Sequence, residues 1–325
     1  MTPRRWMLGV ATVALTGITL YGAVPQSPAA QDQPRSPSTG SGQAPSTSSG
    51  QAFRSTADVV TVEVSVRRDK RAVVGLAPAD FEVLDNGVAQ QIDTLSYERL
   101  PIDVTIALDV SASVTGAVLD QLRRSVRQLQ SDLGPRDRLK LVAFNMRVLR
   151  LLDFRAPGAA NDAAFASLPA AGSSAIFDTL AVALSGAPSS GRRHLIIVFT
   201  DGKDSASISA PDVLFDVARR STPTVAVVLA STIPDQPAST FGPSPFVTIR
   251  DLYDRLARET GGVVVSTRSD EDLGGTFRSV LSEFRASYVL YFAPRGVETG
   301  GVHALDVKVR QRGVEVRSRR SYVWR

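Results

Sequence analysis

Apolar and polar positions alternate over residues 58–66. Val60, Val62, Val64 and Val66 fall on one face and Thr61, Glu63 and Ser65 on the other, which predicts a half-buried β-strand. A polar turn at 67–71, a short strand at 72–76 and a strand at 81–84 follow. Asp85-Asn86-Gly87 is a tight-turn signal leading into a strand at 88–95, so a hairpin is expected there.

From Pro101 the pattern changes. Residues 102–108 are apolar with little alternation, as in a strand covered on both faces. Val118, Leu122, Val126 and Leu129 recur at helical spacing up to a stop near Gly134-Pro135. Strands are expected at 139–144 and 148–154, close enough to pair antiparallel. Further strands are expected at 194–199, 224–230 and 263–265. Helices fall at 175–184, 213–220, around Leu252 and Leu256, and at 273–284, with a short one near Phe165 and Leu168. A Pro- and Ser-containing loop occupies 231–244. Buried strands separated by amphipathic helices predict an α/β fold with a doubly wound, mostly parallel six-stranded sheet.

After Tyr288 the pattern returns to β, with strands at 288–292, 302–310 and 314–323. Neither flank is long enough to hold a core alone. The expected organisation is therefore a small all-β, sandwich-like domain built from 53–100 and 288–325, with the α/β domain at 101–287 inserted in it.

The N-terminus changes the picture of where this chain works. Arg4 and Arg5 precede an uncharged, largely apolar run at 7–24, and Ser27-Pro28-Ala29-Ala30 supplies small residues for cleavage. This predicts a signal peptide over 1–30, with an uncleaved membrane anchor as the rival. Either reading makes the body an exported protein, periplasmic or extracellular. Residues 31–52, dominated by Ser, Pro, Gln, Gly and Thr, read as a disordered linker.

Composition then narrows the chemistry. The chain has no cysteine, which excludes disulfides, zinc-thiolate sites and thiol nucleophiles, and only His194 and His303 as histidines. The formal net charge of +5 comes almost entirely from arginine, scattered except towards the C-terminus, so no nucleic-acid partner is expected. The arginines between 310 and 325 fall largely on alternate positions, as on the solvated face of a strand.

What remains is oxygen chemistry at strand ends. The strand at 102–108 runs into Asp109-Val110-Ser111-Ala112-Ser113, and the strand at 194–199 into Thr200-Asp201-Gly202. In a sheet of order 3-2-1-4-5-6 these two strands are neighbours at the switch point, where ligands bind. The loop carrying Gly172-Ser173-Ser174 can reach the same edge. Two carboxylates so close repel unless a cation lies between them, and hydroxyl and carboxylate ligands suit a hard divalent ion. Taken alone, Asp109 reads equally well as a helix N-cap. A phosphohydrolase using a strand-end aspartate nucleophile is a further alternative, but position 111 is serine rather than a second acid and no lysine stands at a matching strand end. Neither histidine has the context of a hydrolytic triad.

Asp109-x-Ser111-x-Ser113, the hydroxyl of Ser174 and Asp201-Gly202 together resemble the metal-ion-dependent adhesion site of von Willebrand factor A (VWFA) domains. The flanks, including Asp80-Phe81-Glu82-Val83-Leu84-Asp85-Asn86-Gly87, are similar to VWFA-related proteins of Acidobacteria. The resemblance implies binding rather than catalysis. Asp109, Ser111, Ser113, Ser174 and Asp201 would hold Mg²⁺, with Mn²⁺ or Ca²⁺ as alternatives, and an acidic residue of a partner protein would complete the shell. A membrane would be met only through the N-terminal run. Ser174 departs from the family's usual threonine, and Asp204 matches no ligand position.

Overall fold

The computed structural model describes residues 59–97, 100–158, 163, 170–186, 189–230, 248–267 and 272–324. The expected leader, the linker, the short helix near Phe165 and Leu168 and the loop at 231–244 lie outside them.

The first flank opens with β1 (Val60–Arg68), in which Val62, Val64 and Val66 are buried between exposed or half-buried Thr61, Glu63 and Ser65. The chain turns through Asp69 and Lys70, both at positive φ, into β2 (Arg71–Ala72). The expected polar turn at 67–71 is thus partly ladder, with Arg67 opposite Ala72 and Arg68 opposite Arg71, and the strand expected at 72–76 is only two residues long. β3 (Phe81–Asp85) and β4 (Val88–Gln90) make the expected hairpin about Asn86-Gly87. Both turn residues have φ > 0, as a two-residue hairpin loop of this kind demands. The strand expected at 88–95 does not run through, and β5 (Thr94–Tyr97) joins a different sheet. Polar contacts hold the break: Gln90 donates to Arg295 O, and Asp93 Oδ2 accepts the Ala293 amide.

The α/β part follows in order as β6 (Ile102–Asp109), α1 (Ala117–Asp132), β7 (Arg138–Phe144), β8 (Val148–Arg155) and α2 (Ile176–Leu184). Then come β9 (Arg193–Thr200), α3 (Pro211–Arg220), β10 (Thr224–Ala230), α4 (Ile249–Thr260), β11 (Val263–Thr267) and α5 (Leu273–Arg285). Six strands lie in the order β11-β10-β9-β6-β7-β8, parallel except for β8, which runs antiparallel to β7. Numbered along this part of the chain, that is the expected 3-2-1-4-5-6. Leu122 and Val126 of α1 and Phe277 and Leu281 of α5 cover one face, against Ile106, Leu108 and Ile197. Leu180, Leu214, Phe215 and Leu256 cover the other, against Ile196 and Val198. Coverage of both faces explains why β6 is buried at every position and shows no alternation. Gly261 ends α4 in the left-handed conformation, where a Cβ would come within 2.7 Å of the Arg319 amide nitrogen.

The second flank supplies β12 (Tyr288–Phe292), β13 (Gly301–Val309), β14 (Glu315–Ser318) and β15 (Ser321–Trp324). One sheet runs β14-β1-β12-β5 with β2 paired to β1, and the other runs β15-β13-β3-β4. Val62, Val64, Phe81, Leu290 and Leu305 belong to one apolar cluster that both sheets share. The single strand expected at 314–323 is two strands in different sheets. Its break holds Arg319, which is buried rather than solvated. The guanidinium donates to Ser321 O, Ala218 O and Ser221 O, and burial lowers its pKa to about 10. His303 also differs from expectation. Its Nδ1 lies 2.7 Å from Asp85 Oδ1, and the Tyr322 hydroxyl donates to Asp85 Oδ2 at 2.7 Å, all three side chains being buried in the sheet core.

The described residues belong to one compact unit, and Arg193 at the start of β9 joins its parts. Its guanidinium donates to Glu63 of β1 and to the carbonyls of Phe284 and Arg285, and lies 4.3 Å from the Phe284 ring centre. Among the described residues no helix is long and apolar enough to cross a membrane.

Candidate metal site at the sheet switch point

Adjacent strands β6 and β9 both end at the same edge, so Asp109 and Thr200-Asp201-Gly202 meet without any special loop geometry. The third loop is tied in by its backbone. The Ala112 amide donates to Gly172 O, Ala171 N donates to Val110 O, and Ala175 N donates to Asn145 O. Ser205 and Ala206 both donate to Ser174 O, closing the third loop onto the one after β9.

Asp109 is the centre of this arrangement and is fully buried. Its Oδ1 accepts the Ser111 amide at 2.9 Å. The Ser174 hydroxyl stands 3.3 Å from Oδ1 and 3.2 Å from Oδ2, and the Thr200 hydroxyl donates to Oδ2 at 2.8 Å. Ser111 Oγ and Ser113 Oγ are 3.0 Å apart. Burial raises the Asp109 pKa and the negative charge of Asp201 adds to the rise, against hydrogen bonds from Ser111 and Thr200.

Asp201 Oδ1 is buried with no hydrogen-bond partner. An unsatisfied buried carboxylate oxygen costs free energy, more so beside a second carboxylate. That orphaned atom, together with three serine hydroxyls, is the donor set a hard divalent cation takes. The residues present therefore fit such an ion. Among the described residues no group of three or more His, Asp or Glu side chains could hold a metal, so the arrangement relies on hydroxyls.

All five sequence-expected residues come to this edge. Asp204 stays outside, as expected: its Oδ2 accepts the Phe177 amide at 2.9 Å and the Ser207 hydroxyl at 2.6 Å, capping the first turn of α2. Sequence reading missed Thr200, whose hydroxyl also accepts the Gly202 amide at 3.0 Å. It missed Tyr253 of α4 as well. That phenol is fully buried and donates to Gly202 O at 3.3 Å. Burial and the charges of Asp204, Asp109 and Asp201 keep it protonated. Gly202 itself has φ +98, a conformation most other residues resist.

Residues 103–245 match the von Willebrand factor type A domain, and the six-stranded mixed sheet with its helices is an α/β fold of that kind. A 55-residue stretch is 38% identical to the E3 ubiquitin-protein ligase WAV3 of Arabidopsis thaliana, covering 17% of this chain and 7% of that protein. Among solved structures, a von Willebrand factor type A protein from Catenulispora acidiphila is 14% identical, with 84% of this chain and 75% of that one covered and a TM-score of 0.46. An aerotolerance-related membrane protein from Bacteroides fragilis is 18% identical, covering 56% and 98%, with a TM-score of 0.45. Proximal thread matrix protein 1 of the mussel byssus, whose structure has a zinc-occupied MIDAS motif, is 14% identical, covering 62% and 49%, with a TM-score of 0.48.

Proposed function

We propose that this chain is an exported, non-enzymatic binding protein that holds Mg²⁺ at the sheet switch point and captures an acidic side chain of a partner protein through it. Domains of the matched type usually mediate protein–protein interaction. The observation that carries the reading is Asp201 Oδ1, buried and unpartnered beside the buried Asp109 carboxylate. Asp109, Ser111, Ser113, Ser174 and Asp201 would hold the ion, and Thr200 would keep Asp109 oriented. The ion supplies positive charge that offsets the two carboxylates and an open position for a carboxylate from outside. The two flanks are read as one β domain that presents this part, supported by the pairing of β1 with β12 and β14.

Calorimetric titration of Mg²⁺ and of Mn²⁺ into the full chain tests the proposal, with Asp109→Ala as control. Binding by the wild type that the variant lacks is the expected result. No heat from the wild type, or equal heat from both, overturns it. One observation favours a second reading, a structural module with a vestigial site: Ser174 and Thr200 already satisfy Asp109. Partner capture that is indifferent to EDTA would favour that module.

A further inference from the structure

Positive charge that is scattered along the sequence is gathered in the fold. Arg68, Lys70 and Arg71 stand on the β1–β2 hairpin, and Arg310 and Arg312 on the connection from β13 to β14, all five exposed. The segments touch, because the Arg68 guanidinium donates to Arg312 O at 2.9 Å, across 244 positions of sequence. The Arg310 amide donates to Asp80 O at the same end.

Neighbouring cations are neutralised. Arg67 and Arg317 pair with Glu283, Arg317 also with Glu315, and Lys308 with Asp306. Among the described residues, none of the five has a carboxylate within ion-pair distance. The acids at this end are exposed Asp69, half-buried Asp80, whose Oδ2 accepts the Ala77 amide, and Glu315, which lies opposite Arg67 and pairs with Arg317. Arg68 and Arg71 lie directly opposite one another in the ladder, a like-charge placement that weakens a sheet. A hairpin tip that keeps this unfavourable pair, while adjacent charges are paired off, is built for a contact outside the chain.

The shape and chemistry of the tip choose among anionic partners. It consists of two turns, the β1–β2 hairpin and the β13–β14 connection. It contains no aromatic ring of the kind on which single-stranded bases stack. Val74, just past β2, is 63% exposed, which suits an interfacial layer. Four of the five cations are arginines, whose planar forks match phosphate oxygens. We propose that this tip docks on an anionic phospholipid surface, with Arg68, Lys70, Arg71, Arg310 and Arg312 against the headgroup phosphates and Val74 at the interface. The contact is independent of the metal site and of the N-terminal apolar run.

Co-sedimentation of the full chain with vesicles tests this, using phosphatidylcholine alone and phosphatidylcholine carrying roughly a third phosphatidylglycerol. The anionic vesicles should bind more, and the gain should shrink with salt and persist in EDTA. R71E/R312E should lower the gain about tenfold or more, and R71Q/R312Q by less. R124E/R127E, the same charge change on two exposed positions of α1, should keep the gain. R71E places opposite charges across the ladder, so its thermal midpoint should not fall, which separates lost docking from lost folding. Equal binding to both vesicle types, an equal loss in R124E/R127E, or tip-dependent binding to a single-stranded oligonucleotide in preference to vesicles would overturn the proposal.

Discussion

The Thr200 hydroxyl donates to Asp109 Oδ2 and accepts the Gly202 amide, so one side chain at the end of β9 fixes both a buried carboxylate on β6 and the turn that follows Asp201. Thr200→Val keeps the shape and removes both contacts. It should cost about 1–3 kcal/mol of stability and weaken Mg²⁺ binding as Asp109 loses its orientation. Urea unfolding and calorimetry on the same preparation check it. Unchanged values in both would remove Thr200 from the site.

Asp201→Asn separates the charge that the proposed metal needs from the fold's dislike of it. The substitution removes a negative charge that raises the Asp109 pKa. The metal-free chain should therefore unfold at equal or higher urea concentration than wild type, while Mg²⁺ affinity drops by tenfold or more. A variant that loses stability without metal would show that Asp201 is held by the fold itself.

Ser174 invites the opposite experiment. Its hydroxyl stands between both Asp109 oxygens with no methyl to restrict its rotamer. Ser174→Thr should tighten Mg²⁺ binding by a few-fold, read as a lower Kd. A weaker Kd would mean that the pocket around Ser174 has no room for the added carbon.

His194 gives the fold a pH dependence away from the candidate metal site. Its Nε2 lies 2.9 Å from Thr105 Oγ1, and its ring meets Phe154 edge-on. Burial lowers its pKa from 6.5 to about 4, with Lys140 and Arg138 assisting and Asp103 opposing. Between those values the unfolded chain binds a proton that the folded chain does not. Stability present above pH 6.5 is therefore lost as pH falls towards 4. Urea midpoints at about pH 7.5 and 5 should differ more for the wild type than for His194→Gln, and equal differences would refute the assignment.

The sheet order was legible because doubly covered strands lose their alternation, and β6 and β9 show it clearly. The five candidate ligands were legible because each sits where a strand or a loop meets the switch point. Thr200 was not, since threonine at a strand end reads first as an ordinary strand former. The break between β4 and β5 was hidden for a related reason: the hairpin signal predicts a strand after Gly87, but Gln90 and Asp93 pin the chain to residues around 293–295. Contacts between the flanks were the least legible. Asp85 meets His303 across 218 positions, and nothing local in either segment announces the other.

Arg193 bears on how freely this α/β part could be moved. It lies at the opposite end of β9 from Thr200, with only 2% of its side chain exposed, and Glu63 is its carboxylate partner. Excised without its flanks, the part would carry an uncompensated guanidinium where β1 supplied an acid. Transplanting it into another protein would require bringing the glutamate along or giving up the arginine. The seam between the α/β part and β1 is thus shared, and Glu63 must travel with Arg193.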